Sequence, residues 1–388
     1  MSMQVNNIMQ YADTHADLIQ EIADVGDKIS LIIQGPMGWG KTAMLTALGA
    51  MDRFKGYTLI YIDCTTKSDS GDFFMIKYGP DGKTFLTVPH EELGLHLKGP
   101  VILMFDEIGK MPRSAFNSVL RVLYERKAGP DALHPDSRLF ATTNLAAEGL
   151  GDLLPPHAIN RCQVRTMRVP SKADWLGWAI RNSIHPFMLS YANQNDQIFT
   201  CFLDHEEIGK YPEIYDPRAV NKPIAYATGR SMENGSHLFH VYDQRIEAAN
   251  EAGTYQVGGD LEKKCQRVLL NGLVGTVGPV AANHMMTYFK LQGEIPTRDQ
   301  IIQNPMGVPI PKSGAARCLL ISRSLSDMDK EFAESWMTYL LRAGWSNVDQ
   351  ALFGMGTRVK GYPEKKLRAV AGNLKYQQWA ETNSHLFG

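Results

Sequence analysis

The sequence predicts an α/β protein: a parallel sheet covered by helices on both faces, with one inserted β-hairpin, followed by helical regions. Three observations predict it. Short apolar or β-branched runs alternate with helical patterns up to about residue 170. A glycine-rich loop joins the first of those runs to a helical stretch. Past Val169-Pro170 the strand-like runs stop. Short strands buried on both sides and separated by helices are the pattern of a parallel sheet.

The expected strands are SLIIQG (30–35), YTLIYID (57–63), GPVILMFD (99–106), RLFATT (138–143) and CQVRTMRV (162–169). A helix is expected over PRSAFNSVLRVLYERK (112–127). One stretch breaks the alternation. FFMIKYGPDGKTFLTVP (73–89) is two extended runs around Pro80-Asp81-Gly82-Lys83, a hairpin turn signal, placed between the second and third strands. Beyond residue 170, Ser171 can cap a helix that begins KADWLGW. Residues 260–293 read as helix, Gly-rich turn, helix. Residues 296–311 read as a short helix and a Pro-rich linker, and 313–388 as mainly helical. The expected domains are 1–170 with the sheet, 171–310 helical, and 311–388 as a C-terminal helical region.

Composition narrows the function. The chain has 388 residues, 44% hydrophobic and 21% charged, with a net charge of −1. That suits an ordinary globular protein and lacks the basic surplus of a chain that lives on phosphate backbone. The five cysteines, Cys64, Cys162, Cys201, Cys265 and Cys318, are scattered and never form CxxC. This argues for a reducing compartment and against a zinc site. The N-terminal stretch lacks the basic and apolar regions of a signal peptide, and no run reaches the roughly 18 apolar residues of a membrane span. The expected location is the cytoplasm.

Gly35-Pro36-Met37-Gly38-Trp39-Gly40-Lys41-Thr42 fits GxxxxGK[ST], with a strand before it and a helix opening at Ala43. Glycines let successive backbone N–H groups curl around a phosphate while the helix N-terminus points at it. Lys41 is expected on the β- and γ-phosphates of ATP, and the Thr42 hydroxyl on Mg²⁺. Trp39 needs no glycine conformation and is expected to point outward, either packing on a neighbouring loop or, less simply, stacking on a base.

Hydrolysis needs more than a cradle. VILMFDEIGK brings Asp106-Glu107 to the end of a buried strand. Asp106 is read as the second Mg²⁺ group and Glu107 as the base that orients the attacking water. Two adjacent carboxylates rarely end a buried strand for packing reasons, because unpaired burial is costly. Asn144, after RLFATT, is read as a polar contact to the γ-phosphate or the water. Arg161, before the last strand, is read either as a salt-bridge partner or as an arginine reaching a neighbouring subunit's nucleotide. Arg230, at a helix start in AYATGRSMENGS, is read as folding over the nucleotide, against the plainer reading of a surface arginine.

With these residues assembled, the chain resembles an AAA+ ATPase of the MoxR-like branch, in the clade with a helix-2 insert. The phosphate loop and FDEIGKMPRSAFNSVLRVLYERK carry the resemblance most specifically. The 73–89 hairpin resembles the helix-2 insert. HPDSRLFATTN resembles a pre-sensor hairpin arm entering sensor 1, and INR the arginine-finger segment. ATGRSMEN is similar to the sensor-2 sequence, with Gly229 and Met232 in place of its usual proline and tryptophan. Residues 272–305 resemble the lid helices of MoxR-like proteins, including phage-encoded ones. The resemblance implies Mg²⁺-dependent ATP hydrolysis in a homo-hexameric ring and a helical lid. It also implies remodelling or maturation of a protein client, with a von Willebrand A domain protein a frequent partner. Helicases and restriction translocases share the clade, so a nucleic-acid motor is the alternative, with Lys77 and Lys83 of the hairpin as its contacts. The hairpin itself is read as a client contact or a ring-packing element. Trp336, Trp345 and Trp379 are read as core, with partner docking as the alternative.

Overall fold

The computed structural model describes residues 9–128, 130–149, 154–220, 225–358 and 362–384. The chain forms two compact units. The first comprises residues up to Pro170 together with Cys201–Ile208 and Asp216–Ala219. The second comprises Ser171–Thr200, Gly209–Tyr215 and the chain from Val220 onward.

The first unit is built on five parallel strands: β1 (Leu31–Gly35), β2 (Thr58–Asp63), β3 (Val101–Asp106), β4 (Arg138–Asn144) and β5 (Gln163–Thr166). Their order across the sheet is β2-β3-β4-β1-β5. Interior strand β3 is buried along its whole length, which explains its unbroken apolar run. The register pairs Gly35 with Asn144 and Asp63 with Asp106, while Phe105 faces Ala141, so β4 and β1 run about two residues past the ends of β3 and β2. β5 is shorter than the 162–169 run predicts. The strand pairing with β1 ends at Thr166; the Met167 N–H still donates to the Gln34 carbonyl at 2.7 Å, and Met167 forms a bridge with Asp13. Helix α1 (His15–Val25) starts at a capping box in which Thr14 and Asp17 satisfy each other's backbone. Helix α2 (Ala43–Gly49) follows the glycine-rich loop, and α3 (Arg113–Glu125) buries Phe116, Val119, Leu120 and Leu123 against the sheet. A one-turn helix, α4 (Pro156–Ile159), precedes β5.

The expected hairpin is present, with Phe74–Tyr78 paired antiparallel to Phe85–Pro89. Its turn is tied by Asp81, whose Oδ1 accepts from the backbone N–H groups of Lys83 and Thr84 and from the Thr84 hydroxyl, each at 2.9 Å. A shorter antiparallel ladder, Lys127–Ala128 with Asp131–Ala132, lies just before HPDSRLF.

The segments 201–208 and 216–219 of the first unit were not legible as part of it. Arg218 closes them together. Its guanidinium donates to the Asp216 carboxylate and to the carbonyls of Phe202 (2.9 Å) and His205 (3.1 Å), and it lies over the Phe202 ring.

The second unit is helical. Ser171 caps α5 (Lys172–Arg181) through the Asp174 N–H, as expected. Then come α6 (Pro186–Gln194), α7 (Gly229–Glu251), α8 (Asp260–Val277), α9 (Pro279–Leu291) and α10 (Arg298–Gln303). The chain continues through α11 (Gly314–Asp327), α12 (Lys330–Ala343), α13 (Asn347–Arg358), α14 (Glu364–Ala371) and α15 (Leu374–Thr382). Helices before and after residue 310 share this unit, with α6 packed on α11 and α10 on α12. Trp336, Trp345 and Trp379 are buried with Tyr339, Phe353 and Tyr376 in one aromatic cluster, which is their core role. All five cysteines are buried and free. No described helix is long and apolar enough to cross a membrane.

Candidate active site

The site lies at the C-terminal ends of β1, β3 and β4. The glycine-rich loop turns through two left-handed residues, Gly38 (φ 74°) and Gly40 (φ 90°), which a residue with a Cβ adopts only with strain. Gly35 is needed for a different reason: a Cβ there would stand 2.9 Å from that of Met167. Trp39 departs from expectation. It is only 6% exposed, so this indole is packed into the protein and does not point outward. An aromatic ring of that size gains more from burial than from solvent contact.

Lys41 is buried, and its ammonium is satisfied three times. It donates to the carbonyls of Gly35 (2.7 Å) and Pro36 (3.0 Å) and to Asn144 Oδ1 (2.9 Å). The other end of the same Asn144 amide donates from Nδ2 to Glu107 Oε2 at 2.9 Å. Lys110 also pairs with that oxygen. One amide therefore links the loop lysine to the expected base. Glu107 itself has left-handed backbone (φ 58°, ψ 36°), an unusual conformation for a residue with a side chain, at the sharp exit from β3.

Asp106 collects hydroxyl groups. Thr42 Oγ1 donates to its Oδ2 at 2.8 Å, Tyr61 from β2 donates to the same oxygen at 3.2 Å, and Thr142 donates to Oδ1. Burial and the Asp106 carboxylate together push the Tyr61 phenol up to about 12, so it remains a donor. The expected metal pair, Thr42 and Asp106, is thus brought into contact. A hydroxyl and a carboxylate are hard oxygen donors, the set that suits Mg²⁺ with water completing its shell. The donor set and the glycine cradle fit a Mg²⁺-nucleotide. The described residues contain no cluster of His, Cys, Asp and Glu able to hold a metal by itself.

Five groups of this neighbourhood were not singled out from the sequence. They are Tyr61, Lys110, Thr142, His15 and Glu148. The His15 ring donates from Nε2 to the Gly40 carbonyl at 3.0 Å. Glu148, buried in the turn after β4, accepts from the Met37 N–H at 3.2 Å. Thr142 carried a faint signal, as a polar residue within a buried strand; the others gave none.

The two arginines stand differently. Arg161 is exposed at the end of α4, with its guanidinium over the Tyr124 ring at 5.9 Å. Arg230 is exposed in the first turn of α7, in the second unit, on a helix capped by Thr228 and Ser231.

Residues 30–156 match the AAA domain of the dynein-related subfamily. No curated protein sequence matches the chain. Among solved structures it is similar to a provisionally assigned ATPase of Cytophaga hutchinsonii, at 15% identity over 78% of this chain and 94% of that one, with a TM-score of 0.32. It is also similar to a RuvB mutant of Thermotoga maritima (12% identity, 88% of each chain, TM-score 0.31). A third is NtrX of Brucella abortus (17% identity, 66% of this chain and 68% of that one, TM-score 0.31). The segment that matches the AAA domain holds the P-loop sheet of the first unit, with the phosphate loop, the carboxylate strand and Asn144 inside it.

Proposed function

We propose that the protein hydrolyses ATP in a Mg²⁺-dependent reaction. The observation that carries this is the convergence of Lys41, Asn144 and Glu107 in one hydrogen-bonded chain beside the Thr42–Asp106 pair. A protein that only held a nucleotide would need the lysine and the loop but not a carboxylate wired to them. In this reading the loop amides and Lys41 hold the β- and γ-phosphates, and Thr42 and Asp106 hold Mg²⁺. The ion, when bound, screens the phosphate charge. Glu107 orients and deprotonates the water, and Asn144 keeps it on line.

The test is Glu107→Gln. It should retain mant-ATP binding and lose phosphate release by about 100-fold or more. Turnover at the wild-type rate would remove Glu107 from the role of base.

We further propose the MoxR-like assignment, ring assembly as a homo-hexamer and work on a protein client. The hairpin inserted between β2 and β3 supports the first. The exposed guanidinium of Arg161 supports the second, because a cation presented at the surface can serve a neighbouring copy's nucleotide. The hairpin surface supports the third. Met75, Ile76, Tyr78 and Phe85 are all more than 60% exposed, a surface suited to apolar polypeptide. The hairpin lysines Lys77 and Lys83 are too few to favour nucleic acid. A von Willebrand A domain protein is the candidate partner, and Arg230 the candidate second sensor. Arg161→Ala should abolish turnover alone and recover part of it when mixed with Glu107→Gln, which supplies an intact arginine. No recovery at any mixing ratio would rule out action in trans.

A further inference from the structure

Two peptide planes of the phosphate loop are gripped from outside the loop. The Gly40 carbonyl accepts from His15 on α1 and also from the Ala43 N–H at 3.1 Å. A trans peptide is planar, with its C=O and N–H on opposite sides. Pulling the Gly40 carbonyl toward α1 and α2 therefore aims the N–H of Lys41 back into the loop. The Pro36–Met37 peptide is held at both ends. Its N–H goes to Glu148 and its carbonyl to the Lys41 ammonium. Neither outside group belongs to the phosphate-loop motif. His15 lies 25 residues before Gly40, and Glu148 lies 111 residues after Met37.

The grips are specific. The His15 ring is close enough to Gly40 that a Cβ there would meet it at 3.7 Å. Burial lowers the His15 pKa, so the ring is neutral at pH 7 and, facing a carbonyl, carries its proton on Nε2. Glu148 is 3% exposed, and it puts a carboxylate behind a loop whose task is to hold an anion. Like charge there works against phosphate binding, so its use as a backbone acceptor must outweigh that penalty.

We propose that His15 and Glu148 are positioning residues that set the phosphate loop in its binding shape before nucleotide arrives. The proposal rests on the nucleotide-binding reading above. Neither side chain touches nucleotide in this role; each acts through a peptide plane. Pre-setting the loop removes an ordering cost from the binding step, so loss of either residue appears in affinity rather than in the chemical step.

The experiment is equilibrium titration with mant-ATP, alongside steady-state phosphate release and thermal melting. The variants are His15→Phe, His15→Gln, Glu148→Leu and Glu148→Gln. His15→Phe keeps a ring against Gly40 and removes the donor; it should weaken mant-ATP binding about fivefold to tenfold. It should raise KM to match and leave kcat within about twofold. His15→Gln, which retains an N–H donor, should recover most of the affinity. Glu148→Leu should behave like His15→Phe. Glu148→Gln keeps the acceptor and drops the charge, so it should bind at least as tightly as wild type.

Trp39 supplies a readout independent of turnover. In nucleotide-free His15→Phe and Glu148→Leu its iodide quenching, measured against a Trp39→Phe background, should rise and return toward wild type on adding ATP. Unchanged affinity and quenching in both variants would overturn the proposal. So would equal losses in Glu148→Gln and Glu148→Leu. Wild type and Lys41→Ala serve as reference: if wild type itself fails to bind mant-ATP, the nucleotide reading fails instead. Should a variant melt early, the Gln replacements and the quenching of the folded fraction still decide.

Discussion

Replacing Asn144 with alanine tests the wiring of the site most directly. The side chain is 1% exposed and makes two hydrogen bonds of 2.9 Å, one from the Lys41 ammonium and one to the Glu107 carboxylate. A hydrogen bond to a charged partner contributes about 1.5–3 kcal/mol, and water entering the vacated space recovers part of that. Lys41 keeps its two carbonyl acceptors, so mant-ATP affinity should fall by less than about tenfold. Glu107 loses the group that aims it and, among the described residues, keeps Lys110. A misplacement of about 1 Å at a reacting group costs on the order of 100-fold in rate, or about 2.7 kcal/mol of barrier. The expected phenotype is therefore a large loss in kcat with a small change in binding. Asn144→Asp sharpens the test. Its carboxylate still accepts from Lys41 but faces Glu107 with like charge, so binding should persist and turnover should fall at least as far. The assays are phosphate release at saturating ATP and mant-ATP titration. Turnover by Asn144→Ala within threefold of wild type would refute the assigned linkage.

The remaining predictions concern stability. Gly278 joins α8 to α9 at φ 89°, ψ 160°, and a Cβ there would stand 2.4 Å from the Ala225 carbonyl oxygen. Gly278→Ala should cost about 3 kcal/mol or more in urea unfolding, because both the dihedral and the backbone contact forbid relief; a loss below about 1 kcal/mol would contradict that geometry. His185 is buried, donates from Nε2 to Asp243 and accepts the Phe187 N–H at Nδ1, which is the neutral form. Burial lowers its pKa despite the Asp243 carboxylate, and His240 and Arg323 push the same way as burial. The folded pKa is below the unfolded value, so its stabilisation is complete above about pH 6.5 and is lost as pH falls through the folded pKa. Burial at His15 acts in the same direction. Urea midpoints should drop between pH 7.5 and 5.5, and His185→Asn should start lower but show a shallower slope; equal slopes would remove His185 as the cause.

Local pattern made much of this fold readable. The five strand runs, the hairpin turn and the Ser171 cap each depend on neighbours in sequence, and each is present. The phosphate loop and Asp106-Glu107 were legible because phosphate and metal chemistry demand those residue types at a strand end. What escaped notice depends on distant partners. A histidine opening a helix and a glutamate after a strand carry no mark of the loop they grip. Trp39 looked solvent-facing because a glycine-rich loop has few side chains of its own to cover an indole; other parts of the chain supply that cover. The Arg218 clasp escaped for a further reason, since several of its acceptors are backbone carbonyls, which any sequence provides.

The interleaving of the two units has a consequence for how the chain is made. It passes from one unit to the other after Pro170, Thr200, Ile208, Tyr215 and Ala219. Every side chain of the proposed catalytic chain has been synthesised by Asn144, yet the unit that holds them is not complete until Ala219. No single cut separates the two units, and a fragment ending at Pro170 lacks the Arg218 clasp. Such a fragment should therefore be poorly folded despite carrying the whole phosphate loop. Completion of the first unit is thereby tied to translation of a stretch that includes α5 and α6 of the second.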